Sequence, residues 1–284
     1  MPNRLANALE FVKFSHTIFA LPFALMAMWT AGGGRVSLSA AGWIIACMVT
    51  ARTAAMVFNR LADWEFDKAN PRTANRQLLL TKITATLIFI PAAVLFILGA
   101  AQLNSLCLRL SPLALFIILF YSLTKRFTSF THLFLGLALG VAPVGAWCAI
   151  RGEVFNATPL TLGAAVLCWV FGFDLIYATM DAEFDRQRGL RSFPARYGVP
   201  LTLKLARALH VVAVIGFLAF GWLAHFSWIY YAAWSLTAAA LVWEHKIADI
   251  ADRGAINKAF FNINAAVSVI LLAGVFLDSL LWHN

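Results

Sequence analysis

Long apolar runs alternate with short polar connections along this chain. About 20 consecutive apolar residues suffice to cross a bilayer as a helix. Such runs fall at 14–32, 39–61, 83–101, 110–124, 129–150, 160–180, 202–224, 226–245 and 259–281, which predicts nine spans. Gly32-Gly33-Gly34 is expected to close the first, and Ser111-Pro112 to open the fourth and shortest. The apolar stretch near the N-terminus is long and lacks a small-residue cleavage pattern, so it reads as a spanning helix and not as a signal peptide.

Composition agrees with that pattern. Of 284 residues, 62% are hydrophobic and 12% charged, whereas soluble domains carry about 25% charged residues. The expected fold is an all-α polytopic membrane protein, one domain over 1–284, with about nine transmembrane helices around a central cavity open to the cytoplasmic side. Cys47, Cys107, Cys148 and Cys168 lie inside apolar runs without CxxC spacing, which points to buried thiols and not to a disulfide framework or a zinc site.

The net charge of +9 sets topology and does not indicate nucleic acid. With the N-terminus in the cytoplasm, only Arg35, Arg109 and Arg151 fall outside and Arg52 within a span; every other Lys and Arg is inside. The polar loops after the second and sixth spans are then both cytoplasmic, and the expected location is the inner membrane of a bacterium.

Those two loops carry the unusual chemistry. Asn59, Asp63 and Asp67 stand at i, i+4 and i+8, which on a helix stacks three oxygen-bearing side chains on one face. Asp174, Asp181 and Asp185 repeat the arrangement with offsets of 7 and 4. A carboxylate at mid-bilayer costs roughly 2.5–3.5 kcal/mol on insertion scales, so such residues need a cationic partner. Both ladders precede a basic, Pro-containing loop, an internal echo that suggests two related halves with a ligand at their interface.

Hard carboxylate and amide oxygens suit Mg²⁺, which takes one or two carboxylates plus substrate phosphate oxygens. Two ladders therefore suit a diphosphate, with Arg72, Arg76, Lys125, Arg126, Arg186, Arg188, Arg191 and Arg196 available for its oxygens. Diphosphate held this way leaves more readily, and the membrane setting implies a lipid-soluble remainder. Glu65 and Glu183 lie off the ladder faces and read as solvated; His16 and His132, near the cytoplasmic ends, read as solvated or capping residues, with contact to the acceptor as the alternative. Arg52 lies two turns before Asn59 on the same face, as a counter-ion to Asp174 or the first ladder, or as a hook for a substrate carboxylate; the counter-ion is the favoured reading. An ion transporter or channel is the rival class, but conduction needs polar groups through the membrane depth, and the outer halves of these helices carry almost none.

Asn59-x-x-x-Asp63-x-x-x-Asp67 with the following NPRTANR, and Asp174-x-x-Tyr177-Ala178-x-x-Asp181-x-x-x-Asp185 with Gly189 and Ser192, resemble the two signatures of the UbiA family of intramembrane aromatic prenyltransferases. Lys13, Lys125-Arg126 and Arg52 match that pattern too, and the similarity covers essentially the whole chain. FVKFSHTIFALPFAL and EFDRQRGLRSFPARYG look most like the 4-hydroxybenzoate polyprenyltransferase-like branch, which includes the naphthoate enzymes of the futalosine menaquinone route. The resemblance implies Mg²⁺ held by Asn59, Asp63, Asp67, Asp181 and Asp185, with a polyprenyl diphosphate ionised there and attacked by an aromatic hydroxy-acid in ubiquinone or menaquinone biosynthesis. It implies substrate contacts from Lys13, Arg52, Asn59, Arg72, Lys125, Arg126, Tyr177 and Arg191, and an orienting role for Asp174 toward metal, acceptor or a basic partner. One departure stands out: QLLLTKITA replaces the family's usual Pro-x-Gly turn after NPRTANR, so this loop should close differently.

Overall fold

Helices occupy nearly every apolar run, and they are packed so that one of them, bearing the second acidic ladder, sits at the centre. The computed structural model describes residues 19–69, 79–249 and 253–282, and the side chains of all of these except 249 and 253–260. Among the described residues there is no strand. The first helix, α1, runs Leu21–Ala31 and ends at a turn in which Gly33 and Gly34 have φ of 60° and 77°. That left-handed backbone is open to glycine and strained for other residues, so the expected stop is borne out.

Helix α2 (Leu38–Ala62) starts on a Ser37 side-chain cap and is followed by the short α3 (Trp64–Ala69). Next come α4 (Lys82–Leu103), α5 (Ser105–Thr124) and α6 (Thr131–Arg151). Helix α7 (Ala157–Ala178) continues through a 3₁₀ turn at Thr179–Asp181 into α8 (Ala182–Gln187). The chain then forms α9 (Phe193–Tyr197), α10 (Val199–Leu223), α11 (Trp228–Asp249) and α12 (Arg253–Trp282).

Among the described residues, seven helical segments are long and apolar enough to cross a membrane, including Ala157–Gln187 and Phe261–Trp282. The molecule is an all-α polytopic membrane protein. The described part of α1 has 11 residues, and α11, which carries Glu244, Lys246 and Asp249 near its end, falls outside that set.

Helix α5 begins five residues before the expected 110. Asn104 caps it through Oδ1, which accepts from the Cys107 N–H at 2.8 Å, while its Nδ2 donates to the Cys148 carbonyl on α6 at 2.9 Å. Pro112 lies inside the helix and not at its start. It cannot donate to the carbonyl of Leu108, and the Ser111 hydroxyl donates there instead, at 2.8 Å. A helix in lipid tolerates proline when a neighbouring side chain satisfies the freed carbonyl in this way.

Helix α7 packs against α6 on one side and α10 on the other, and α1, α11 and α12 complete that ring. Phe23, Met26, Trp169, Phe217, Tyr230 and Leu271 fill it and are fully buried. Helices α2, α4 and α5 pack together as a second group joined to the ring through α6. The α6–α7 contact is close because glycines face each other. A Cβ on Gly140 would meet the Gly163 carbonyl oxygen at 2.7 Å, and one on Gly163 would meet that of Gly140 at the same distance. Small residues allow this approach, which is a main source of helix association in lipid.

The outer surface is apolar, with Leu38, Ile83, Leu87 and Phe116 exposed. Trp222, Trp228 and Trp282 are exposed at the end where α10 and α12 finish and α11 starts, as in the aromatic belts at membrane interfaces. At that same end Asp278 is fully buried, and one of its oxygens accepts from the Ser227 and Tyr230 N–H groups and the Ser227 hydroxyl. A carboxylate at a helix N-terminus satisfies donors the helix cannot, so this acid, unforeseen in the sequence, pins α12 to the start of α11.

Candidate active site

The first ladder does not lie on one continuous helix. Helix α2 ends at Ala62 and Asp63 occupies its C-cap at φ −93°, ψ 11°. The i,i+4 hydrogen bonds nevertheless cross the break: Asp63 N–H donates to the Asn59 carbonyl at 2.9 Å and Asp67 N–H to that of Asp63 at 2.8 Å. The stacking expected of Asn59, Asp63 and Asp67 therefore survives as a helix end followed by one more turn. In the second ladder Asp174 belongs to α7, Asp181 to the 3₁₀ turn and Asp185 to α8.

The connection 125–130 between α5 and α6 stitches the two ladders together. Thr124 and Thr131 hydroxyls, 2.7 Å apart, clamp its base. Lys125 Nζ lies 2.9 Å from Asp63 Oδ2, and Arg126 donates to the Ala62 carbonyl at the end of α2. From the other ladder's loop, Arg191 donates through its side chain to the Phe127 carbonyl at 2.7 Å and through its backbone N–H to that of Lys125 at 2.9 Å. Asp185 lies within electrostatic reach of Lys125, Asp181 and His132. Lys125 thus stands between the two acidic helix ends.

Asp63 is buried, and burial pushes its carboxyl above the usual carboxylate range, with Lys125 opposing that shift and Asp67 adding to it. Its Oδ1 has no hydrogen-bond partner among the described residues. Because two carboxylates lie close with one oxygen unsatisfied, the donor set fits a hard divalent cation, which Mg²⁺ is. Among the described residues no three His, Cys, Asp or Glu side chains converge as a ready-made cage. A hard divalent cation would neutralise charge building on the phosphate oxygens as the ester bond breaks.

A cavity of about 320 Å³ runs between α2, α4, α5 and α6 beside these acids. Its α2 lining extends from Ile44 to Met56, about 18 Å at 1.5 Å per residue. The walls are mostly apolar, and Arg52 and Tyr121 are its conspicuous polar members. Arg52 has no ion-pair partner among the described residues, and its buried Nε has no hydrogen-bond partner. Tyr121 lies within electrostatic reach of Arg52, Asp63 and Asp174, which links this part of the cavity to both ladders. An unpartnered buried donor costs about 1–3 kcal/mol.

Several expected residues prove to be placed differently. Asp174 pairs with His132, Nδ1 to Oδ2 at 2.6 Å, and not with Arg52. His132 is itself 4% exposed and not a solvated or capping side chain. Arg191 and Arg126 hold backbone carbonyls. Tyr177 is half-buried against the main core. Glu65 and Glu183 are exposed as expected, paired with Lys82 at 2.7 Å and Arg186 at 2.8 Å; exposed pairs of this kind contribute about 0–1 kcal/mol. Lys13, His16, Arg72 and Arg76 lie outside the described residues, as does most of the loop lacking Pro-x-Gly. Tyr121 was not foreseen; its one signal is its position four residues before Lys125. The four cysteines are free.

Fold and site together define a polytopic helical membrane protein with two acidic helix ends bridged by one basic connection and an apolar cavity among its helices. The chain belongs to the UbiA prenyltransferase family, whose model matches residues 20–266. It is 32% identical over 264 residues to a 4-hydroxybenzoate octaprenyltransferase of Cronobacter sakazakii, covering 90% of this chain and 88% of that one. It is also 32% identical over 238 residues to the mitochondrial 4-hydroxybenzoate polyprenyltransferase of Caenorhabditis elegans, covering 81% of this chain and 65% of that longer relative. Among solved structures, an apo UbiA homologue from Aeropyrum pernix K1 superposes with a TM-score of 0.84 and 35% identity, over 93% of this chain and 98% of that one. An Archaeoglobus fulgidus homologue bound to DMAPP and Mg²⁺ shares the fold, with a TM-score of 0.73 and 19% identity over 97% of this chain and 99% of that one. The protein is an enzyme of the prenyltransferase class.

Proposed function

We propose that this enzyme transfers a polyprenyl group from a polyprenyl diphosphate to a ring carbon of a 4-hydroxybenzoate-type acceptor, with Mg²⁺, as a step of quinone biosynthesis. The observation that carries the reading is the 125–130 connection. It ties Lys125 and both acidic helix ends into one cluster, and Tyr121 of the cavity wall lies within electrostatic reach of Asp63 and Asp174. Names of the relatives support the acceptor class, and the Archaeoglobus fulgidus complex supports a diphosphate with Mg²⁺.

In this reading Asp63, Asp67, Asp181 and Asp185, with Asn59, hold the metal, and Lys125 reaches either Asp63 or a phosphate oxygen. Charge that develops on the departing diphosphate meets fixed positive charge, which lowers the barrier to ionisation. The apolar cavity keeps water from the allylic cation. Arg52 meets the acceptor's carboxylate, since its buried guanidinium has no ion-pair partner among the described residues and a charge-assisted, two-pronged contact fits a flat aromatic acid. Lys13, Arg72 and Tyr177 complete the substrate contacts. Arg126 and Arg191 act on substrate through the connection they brace.

The test is product formation by the purified protein in lipid nanodiscs. Geranyl diphosphate is offered with 4-hydroxybenzoate or with 1,4-dihydroxy-6-naphthoate, with Mg²⁺ or with EDTA, and products are weighed by mass spectrometry. Prenylated 4-hydroxybenzoate, formed with Mg²⁺ and abolished by EDTA, is expected. Prenylated naphthoate alone would transfer the enzyme to the menaquinone branch. No aromatic product with either acceptor would overturn the reading.

A further inference from the structure

Asp174 and His132 form a pair to which the prenyl-transfer reading assigns no role so far. His132 is the second residue of α6 and is held on α7's carboxylate at 2.6 Å through Nδ1. The glycine seam between α6 and α7 keeps the two helices at that separation. With Asp174 ionised, the proton of the neutral ring resides on Nδ1, and the lone pair is left on Nε2. Nε2 is buried and has no hydrogen-bond partner among the described residues. Buried polar atoms are almost always paired, so an unpaired one calls for an explanation such as a functional role.

Its place in the fold supplies the explanation. On α6 the cavity is lined by Leu135, Leu139 and Ala142 among others. His132 precedes Leu135 by three residues and Leu139 by seven, which puts it on the same helical face, one turn nearer the acidic ladders. Asp174 is sensed by Tyr121 of the cavity wall, and His132 by Asp185. The imidazole thus stands one turn beyond the cavity's α6 lining, on the side of Asp185.

We propose that His132, oriented by Asp174, is the base that takes the proton released by the aromatic acceptor. The inference rests on the prenyl-transfer reading above. The allylic C1–O bond breaks and its electron pair leaves with diphosphate. A π pair of the ring then bonds C1 to the carbon beside the hydroxyl, and that carbon's C–H proton passes to Nε2, its bonding pair restoring the aromatic ring. Asp174 stays ionised and stabilises the imidazolium, which returns its proton to water once product has left. Asp174 is here a positioning residue.

The experiment uses the full chain in nanodiscs with Mg²⁺, C1-tritiated geranyl diphosphate, and 4-hydroxybenzoate carrying either hydrogen or deuterium at its two reactive carbons. Aryl product and geraniol from capture of the cation by water are counted separately. His132→Ala should lower kcat for aryl product by about 10²-fold or more, the scale of general-base catalysis, with acceptor KM little changed and diphosphate release continuing as geraniol. Deuterated acceptor should slow the residual reaction of the variant while leaving the wild type nearly unaffected, and added imidazole should restore product. Asp174→Asn, which keeps the side chain's shape, should show the same fall in kcat and the same isotope effect. Should His132→Ala fail to fold, Asp174→Asn decides by these readouts. Aryl product near the wild-type rate in either folded variant, or its loss together with diphosphate release, overturns the base. A wild type that releases diphosphate but joins no aromatic acid overturns the prenyl-transfer reading itself.

Discussion

Each ladder position is separated from its neighbours by what it touches. Asp63 is buried on Lys125, whereas Glu65, two residues on, sits in water on Lys82. Replacing Asp63, Asp67, Asp181 or Asp185 by Ala is expected to remove most turnover while leaving membrane insertion intact, because an apolar residue enters the bilayer more easily than a carboxylate. Glu65→Ala and Glu183→Ala are the matched controls and should be mild, since surface pairs contribute about 0–1 kcal/mol. Prenyl transfer by each variant, normalised to protein in the membrane fraction, checks this; Glu variants as damaged as the Asp variants would mean the wrong face had been chosen. Arg52 offers a second test. Without an ion-pair partner among the described residues, it contributes little to folding, so Arg52→Ala should leave thermal unfolding in detergent unchanged. It should raise acceptor KM by about 10- to 100-fold, the loss of one hydrogen bond to a charged group at about 1.5–3 kcal/mol. Arg52→Lys should keep part of the affinity, since the charge remains without the planar fork. A fall in melting temperature with KM unchanged would restore the counter-ion reading.

Among the helices, the α6–α7 pair decides whether the site is assembled at all. Gly140 and Gly163 face each other at a distance that leaves no room for a Cβ, and the same two helices carry His132 and Asp174. Gly163→Leu should push them apart, cost about 1–3 kcal/mol as overpacking does in any close core, and lengthen the His132–Asp174 contact. Gly42, exposed on α2 and outside the cavity lining, has nothing within 4 Å of where its Cβ would be. Gly42→Ala is the control and should leave both melting temperature and kcat unchanged. Melting curves and single-turnover rates for the two variants test whether the seam or the mere presence of glycine matters.

The whole molecule is arranged by its two membrane faces. The connection at 125–130 and the ends of both acidic ladders share one face with most of the basic residues, while Trp222, Trp228 and Trp282 mark the opposite end. In a version without native cysteines, a single cysteine at Arg188 should react with an impermeant maleimide from the cytoplasmic side only. One at Phe155, 91% exposed between α6 and α7, should react only from outside. The reverse labelling would invert the orientation read from the positive charges. It would leave the site geometry untouched, because that geometry depends on helix contacts and not on which face is which.

Much of this protein was legible without coordinates, and for one reason: in a bilayer the hydrophobic pattern is nearly the whole of the local energetics. Each expected apolar run carries a helix, and the two acid ladders stand out because a carboxylate next to lipid demands a cause. Boundaries moved where a side chain did something a pattern cannot announce. Asn104 capped α5 and Ser111 covered for Pro112, so a helix expected from 110 starts at 105. Residues whose meaning depends on a distant helix were the least legible. His132 read first as solvated or capping and is buried against Asp174 of α7, and Arg191, expected to contact substrate, also holds two carbonyls of the neighbouring connection. Sequence by itself determined the class of fold and the oxygen-rich chemistry, because hydrophobic period and residue type are local properties. Only the tertiary structure decided which acid pairs with which base and which buried atoms stay without a partner, because those depend on separations of a few ångströms between residues 42 to 64 positions apart in the chain.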